Sequence, residues 1–283
     1  IHIDALRRLQ AIGRAVRPNA VAAGKRREDM KKGFAAAVAA CVMICSAMFG
    51  GCKKNEATLE KDTLVVGYTI YAPMNYFDDN GKLIGIDTEL AEETGKVLGK
   101  KIEFKEINWD NKIFALNSGE VDMVWNGMTI TDELKEAMAI SDPYMENKQV
   151  VVCQKGEKEK YKTKDDLKKA KEVLAESGSA GEAVAKEIEG VTLLTMTAQR
   201  DTLLDVKTSA DKIAVIDLAM AQVLTGEGTS YTDLTFVDVG FESELFGIGF
   251  RKNDTELCVK VNEAIASLKA NGKFDALKKK YFA

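Results

Sequence analysis

From residue 63 onward the chain alternates short apolar runs with amphipathic segments, and it does so in two blocks. In the first block Leu64-Val65-Val66 reads as a strand and Asp78-Asp79-Asn80-Gly81 as a hairpin turn. Asp87 opens a helix whose inward positions Leu90, Ala91, Thr94, Val97 and Leu98 keep close to the helical period. Ile102-Glu103-Phe104 alternates as a half-buried strand. A short helix from Trp109 carries Ile113, Phe114 and Leu116 as far as Ser118-Gly119, and Val121 to Trp125 is a further strand. After the apolar run Gln149 to Cys153 the pattern returns. Helices are expected over 164–171, 180–188, 200–207 and 217–224, with strands at Val173-Leu174, Val191 to Met196 and Ile213 to Ile216. Leu245 to Phe250 is an apolar strand, and helices over 254–269 and 273–281 follow it. Parallel strands need long crossovers, usually helical, so this alternation predicts an α/β protein of mostly parallel sheets flanked by helices. Two blocks joined through the strands near 150 and 245 predict two lobes, 63–149 with 241–283 and 150–240. Clefts between domains are a preferred place for small ligands.

Composition narrows the chemistry. Apolar residues make up 46% and charged residues 30%, with only 3 Pro, as in a folded soluble protein. The single histidine is His2, so a frame starting at Met30 has none. That removes Ser-His-Asp and Cys-His nucleophilic machinery and imidazole metal sites, and no cofactor or metal is expected. From Cys52 on there are 31 basic and 41 acidic residues, a net charge near −10, which argues against nucleic acid as a partner. Of the five cysteines, Cys41, Cys45 and Cys52 lie near the start. Cys153 and Cys258 sit among apolar neighbours and read as two buried thiols; the alternative is one disulfide of an exported protein.

The first fifty residues read as processing rather than fold. Residues 30–51 combine a basic start, Lys31-Lys32, with an uncharged, mostly apolar run ending in small residues, the pattern of a secretory signal. A transmembrane helix is the rival reading of that run. Phe49-Gly50-Gly51-Cys52 resembles a bacterial lipobox, which makes Cys52 the expected lipidation site and 52–62 a polar linker. Such an anchor holds a protein at the membrane without spanning it, each buried acyl CH₂ contributing about 0.8 kcal/mol. Residues 1–29 carry six of the eight Arg and fit neither the signal nor the Lys-rich remainder. They read as an upstream extension from a misplaced start, with a basic nucleic-acid arm as the alternative.

The order and spacing of several short motifs then carry a resemblance. Gly85-Ile86-Asp87, Trp109-Asp110, Ser118-Gly119-x-Val121-Asp122, Thr129-Ile130-Thr131 and Ser141-Asp142-Pro143-Tyr144 come first. Gly178-Ser179, Ile216-Asp217, Gly247 to Lys252 and Gly272-Lys273-Phe274 follow. Together they resemble the family 3 extracellular solute-binding proteins, the polar amino-acid receptors of bacterial ABC importers, over about residues 63–282. The resemblance implies a two-lobed periplasmic-binding-protein-like fold of type II and a non-enzymatic, monomeric receptor for a small polar nitrogenous solute. It implies as partners an ABC permease with its ATPase subunit, at the outer face of a cytoplasmic membrane or in a periplasm.

Site residues follow by position in the motifs. Tyr71 and Trp109 match the aromatics that sandwich the ligand side chain, and flat π-faces attract cations by roughly 0.5–2 kcal/mol. Asn126, Gly127 and Thr129 match the stretch that hydrogen-bonds the ligand's amino and carboxylate groups. Ser179, Ala180 and Gly181 match the loop entering a helix, where backbone N–H groups hold an anion. Asp217 matches the carboxylate that pairs with the ligand's α-ammonium; as a helix N-cap it has a structural reading as well. Glu176 matches a position facing the ligand's side chain, with a solvated carboxylate as the alternative.

One departure stands out. Where the family has Thr-x-x-Arg to clamp the α-carboxylate, this chain has Thr131-Asp132-Glu133-Leu134. Charge-assisted hydrogen bonds contribute about 1.5–3 kcal/mol each, so the loss is felt unless repaired. Arg200 is the one spare guanidinium, either reaching the cleft or solvated on its helix. A cleft holding Glu176 and Asp217 without the clamp suits a basic amino acid or a compact cationic amine; the other alternative is a dehydratase-type enzyme on the same scaffold, with Glu176 or Asp217 as general acid.

Overall fold

The computed structural model describes residues 58–282. The upstream extension 1–29, the signal 30–51, Cys52 and the start of the linker lie outside the described residues.

Strand β1 (Thr63–Tyr68) leads into a small hairpin, β2 (Tyr76–Phe77) and β3 (Leu83–Ile84), around the Asp78 to Gly81 turn. Asp78 Oδ1 accepts from the N–H groups of Asn80 and Lys82 and fixes that turn. Helix α1 (Ile86–Leu98) has Asp87 and Glu89 in its first turn and ends on left-handed Gly99, a common helix stop. Leu90, Ala91 and Thr94 are buried as expected, whereas Val97 is 49% exposed. It lies on the rim of the buried face in the last turn, beyond the elements that cover the helix. After β4 (Lys101–Glu106), a 3-10 turn at Trp109–Asn111 continues into α2 (Lys112–Asn117). Then come β5 (Met123–Thr129), α3 (Asp132–Ala137), β6 (Ala139–Ile140) and the long β7 (Met145–Gln154).

The expected helix over 164–171 is instead a 3-10 turn, Lys164–Lys169. Thr163 and Asp166 start it with a capping box, but Leu167 is its only buried residue, so no apolar face exists to propagate it. Beyond it, β8 (Glu172–Glu176), α4 (Ala180–Lys186), β9 (Thr192–Met196), α5 (Gln199–Val206), β10 (Lys212–Asp217) and α6 (Leu218–Leu224) alternate strand and helix. The chain returns through β11 (Leu234–Val237) and β12 (Ser243–Phe250), and α7 (Thr255–Ala270) and α8 (Lys273–Phe282) follow.

The strands run in the order β4-β1-β5-β12-β7-β10-β8-β9, with β11 on β7 and β6 on β12. β1 pairs in parallel with β4 and β5, and β8 in parallel with β9 and β10. The antiparallel β12 and β7 join these two parallel groups. β7 does so by dividing its length. Met145 to Lys148 register with Phe246 to Ser243 of β12, and Gln149 to Val152 with Asp217 to Ala214 of β10. Cys153 and Cys258 are free buried thiols, the first packed with Val151 and Val215, the second with the core that holds Val261.

Arg251 locks the base of the first parallel group. Its guanidinium donates to Leu116 O (3.2 Å), Val121 O (2.7 Å), Thr58 Oγ1 (2.8 Å) and Asp122 Oδ1 (2.9 Å), and Nε pairs with Asp254 (2.8 Å). Asp122 is 1% exposed; burial works to raise its carboxyl, but Lys61, the Val65 N–H and Arg251 outweigh burial and hold it below the usual range. Removing one partner of a buried ion pair strands the other, so Arg251→Met is expected to lose about 3 kcal/mol in urea denaturation at pH 7. The loss shrinks as pH falls through the carboxylate range and Asp122 is protonated.

Candidate ligand-binding site

Where the two parallel groups face each other, ten residues enclose a cavity of about 20 Å³, room for about one water molecule. Larger grooves of about 520–550 Å³ lie elsewhere on the surface, but this small one is lined by two buried polar atoms without a hydrogen-bond partner, the Tyr71 hydroxyl and Glu176 Oε1, and by the buried Asp217 carboxyl. From the first group come Tyr71, just after β1, Trp109 in its 3-10 turn, and Asn126, Gly127 and Thr129 at the end of β5. From the second come Glu176 at the end of β8, Ser179 and Ala180 entering α4, Gln199 opening α5, and Asp217 at the end of β10. Carboxyl ends of parallel strands are where open α/β sheets gather ligand groups, because the following loops and helix starts project there.

Tyr71 and Trp109 form buried aromatic walls, and the Tyr71 hydroxyl has no hydrogen-bond partner. Gly127 lets Tyr71 lie where it does. Its φ is +57°, and a Cβ there would stand 2.7 Å from Tyr71 Cε1. The Gly127 N–H donates to Asp87 Oδ2 at 2.7 Å, and the Tyr144 hydroxyl donates to the same oxygen at 2.8 Å. Burial raises the Asp87 carboxyl to about 7, against those two donors. The Asn126 side chain faces inward: Oδ1 accepts from the Thr69 N–H (3.1 Å) and Asn75 Nδ2 (2.7 Å), while Nδ2 donates to Thr69 Oγ1 (2.7 Å). It buttresses the wall, and only the remainder of the residue faces the cavity.

The second group supplies charge. Asp217 is 6% exposed; Oδ1 accepts from Asn147 Nδ2 (2.5 Å) and Gln149 Nε2 (2.9 Å), and Oδ2 from Gln199 Nε2 (2.6 Å). Burial and then the neighbouring Glu244 carboxylate raise the Asp217 carboxyl, opposed by the Gln199 and Gln149 donors. Glu176 is 5% exposed and its Oε1 has no partner. Burial first, and then repulsion from Asp217, raise it to about 8, with Lys112 acting the other way. Lys112 is the nearby cation, itself buried, with its ammonium 4.8 Å from the Trp109 ring centre. Its Nζ donates to Trp109 O (3.2 Å) and across to Gly178 O (2.8 Å), tying the two groups together behind the cavity. The Ser179 hydroxyl is occupied as an N-cap, donating to Glu176 O and accepting from the Glu182 N–H.

Two residues singled out from the sequence fall elsewhere. Arg200 is exposed and reaches only toward Asp201 (3.8 Å), so it does not repair the missing clamp. Helix α5 begins at Gln199, one residue earlier than the expected boundary; Gln199 lies on its buried face with Thr202, Leu203 and Val206, and Arg200 lies on the exposed one. Gly181 is buried against β10, where a Cβ would stand 2.6 Å from Val215 O; it lets α4 pack rather than lining the cavity. Leu134 packs against the apolar cluster that holds Trp109, Val124 and Met138 and does not line the cavity. The sequence reading missed Gln199, the Asn147 and Gln149 amides, Asp87 and Lys112. Asn147-x-Gln149 did carry a signal: two polar residues on one face of a strand that continues as Val150-Val151-Val152.

Comparison with known proteins settles the family. Residues 64–283 match the bacterial extracellular solute-binding proteins, family 3. The chain belongs to this family. It is 32% identical over 263 residues to a probable histidine-binding protein of Neisseria gonorrhoeae, a match covering 90% of this chain and 97% of the relative. The structure of an ancestral arginine-binding protein bound to arginine matches with TM-score 0.73 at 35% identity, covering 79% of this chain and 99% of that one. An ABC uptake transporter substrate-binding protein of Streptococcus pneumoniae with bound histidine matches with TM-score 0.72 at 30% identity, covering 80% and 94%.

Gly127→Ala is expected to lose about 1–2 kcal/mol of stability in denaturant titration, from a strained φ and a displaced Tyr71 ring. Gly81→Ala, also at positive φ but with nothing within 4 Å of its Cβ, is the control for the backbone contribution. The excess at Gly127 measures the contact with Tyr71.

Proposed function

We propose that this solute-binding protein is the amino-acid receptor of an ABC importer and that its ligand carries a cationic side chain. One observation carries the reading: two buried carboxylates, Glu176 and Asp217, and two aromatic walls face a cavity that no Arg of the described residues lines. Asp217 keeps Oδ2 for the ligand's α-ammonium, with only Gln199 bound to it. The unpartnered Glu176 Oε1 takes the cationic end, and Tyr71 and Trp109 stack on the stem between. The first-turn N–H groups at Ala180, which have no acceptor inside α4, and Thr129 remain for the α-carboxylate. Relatives named for arginine and histidine fit this charge pattern.

A cavity of about 20 Å³ does not admit an amino acid, so loading requires the two groups of strands to part. The crossings between lobe 63–149 with 241–283 and lobe 150–240 fall near 149 in β7 and near 240 before β12, and these serve as the hinge. Gly240, at φ +84°, stands at the second crossing. Cys52 tethers the receptor through lipid beside its permease, and Cys52→Ala is expected to move the protein from the membrane fraction to the soluble fraction of cells expressing it.

Leu134 favours a second ligand class, a cationic amine without a carboxylate, because residue 134 brings no guanidinium to the cavity. Calorimetric titration with L-arginine, L-histidine, L-glutamine and agmatine separates the two. The amino-acid reading expects L-arginine to bind at least tenfold more tightly than agmatine. It also expects Asp217→Asn to weaken L-arginine about 10- to 100-fold, the value of one charge-assisted bond. Glu176→Gln should narrow the preference for L-arginine over L-glutamine. Equal or tighter binding of agmatine overturns the amino-acid assignment, and an unchanged preference in Glu176→Gln overturns the role of Glu176.

A further inference from the structure

Asp217 does not hold its amide donors alone. Asn147 Nδ2 donates to Asp217 Oδ1 at 2.5 Å and to Glu244 Oε1 at 2.6 Å, and Gln149 Nε2 donates to the same two oxygens at 2.9 and 2.8 Å. An amide –NH₂ has two N–H groups, so all four are committed to these two carboxylate oxygens. The arrangement follows from strand register. Asn147 and Gln149 lie two apart on β7 and share a face; Gln149 stands opposite Asp217 of β10, and Asn147 opposite Glu244 of β12. The carboxyl pair therefore sits where β7 passes from one neighbour to the other.

We infer that Glu244 is a positioning residue for the ligand-binding carboxylate. Held against Glu244 by the same two amides, the buried Asp217 carries a proton, and a ligand ammonium arriving at Asp217 releases that proton to solvent. The inference rests on the reading above, in which Asp217 receives the ammonium. Two carboxylates gathered on the same two nitrogens repel, and four N–H dipoles do not supply a full positive charge; a proton on Asp217 does. The ligand's ammonium supplies the same charge, so the proton leaves as the ligand enters: the protonated pair plus ammonium gives two carboxylates, one ammonium and one hydrated proton.

The other charges around the pair do not replace it. On the cavity side stand Glu176, an acid, and the Tyr71 hydroxyl, which Asp217 and Glu244 push further from ionising once burial has raised it. On the outer side Glu244 opens onto a groove lined by Lys164, Asp165, Lys168, Glu187, Glu189 and Glu242, two bases among four acids. That groove gives the released proton a path to water.

The test is calorimetric titration of the full-length protein with L-arginine at pH 6.5, in two buffers of different ionisation enthalpy. Glu176, raised by burial, gives up a proton of its own as the cationic end of the ligand arrives, so the pair is read in Glu176→Gln. The expected result there is release of up to about one proton per ligand, with Kd rising toward tenfold per unit of acidification. Adding Glu244→Gln should reduce the release toward zero and flatten the pH profile. Release unchanged when Glu244→Gln is added, or none in Glu176→Gln alone, overturns the inference.

Failure of L-arginine to bind overturns the ligand assignment instead, and the pair is then read without ligand from Tm between pH 5 and 8. A native state that keeps a proton which unfolded carboxyls have lost becomes less stable as pH rises. The Tm of Glu244→Gln minus that of the wild type should therefore grow with pH. A difference independent of pH overturns the proton on Asp217.

Discussion

Taking a carboxylate out of water costs several kcal/mol unless donors or a cation take the place of its hydration. Asp217 meets that cost with amides alone: Asn147, Gln149 and Gln199 surround it, and among its described neighbours the nearest charged group is another carboxylate, Glu244. The rest of the site follows from this arrangement. A buried carboxylate with only neutral donors lacks a positive charge, and in the proposed function a ligand ammonium supplies it. The amides sit on β7, the strand that joins the two halves of the sheet, so the groups that hold Asp217 in place belong to the element the proposed closing motion turns about.

The first half of the cavity is built on the opposite principle. Oδ2 of the fully buried Asp87 accepts from the Gly127 N–H and the Tyr144 hydroxyl while Oδ1 has no partner, and Asn126 is held by Thr69 and Asn75. These groups face the core and fix the end of β5, so that the aromatic faces of Tyr71 and Trp109 are what the cavity meets. Shape comes from one side and charge from the other. Lys112 spans the two through the Gly178 carbonyl, with its own ammonium lowered by burial and stacked near Trp109. Its charge is partly satisfied by backbone carbonyls, which leaves Glu176 Oε1 open toward the cavity.

The sequence by itself determined the class of fold and the order of most elements. Apolar runs such as Leu64 to Val66 and Ile213 to Ile216 sit between segments of helical period, and only a helix-flanked sheet buries both. It also marked the ends of β5, β8 and β10 as places for polar groups, because Asn126, Glu176 and Asp217 interrupt or end apolar strands there. Tertiary structure decided what those groups do. Asn126 became a buttress and Asp217 a shared acceptor, since hydrogen-bond partners come from strands far apart in sequence. Gln199 rather than Arg200 meets Asp217 because successive helix positions point about 100° apart, and the packing of α5 turns Gln199 inward. The segment at 164–169 stayed a 3-10 turn because helix propagation needs an apolar face to bury, and Leu167 alone does not make one. Periodicity is local and can be read along the chain, whereas burial, partners and charge environment belong to surfaces that exist only once the strands have paired.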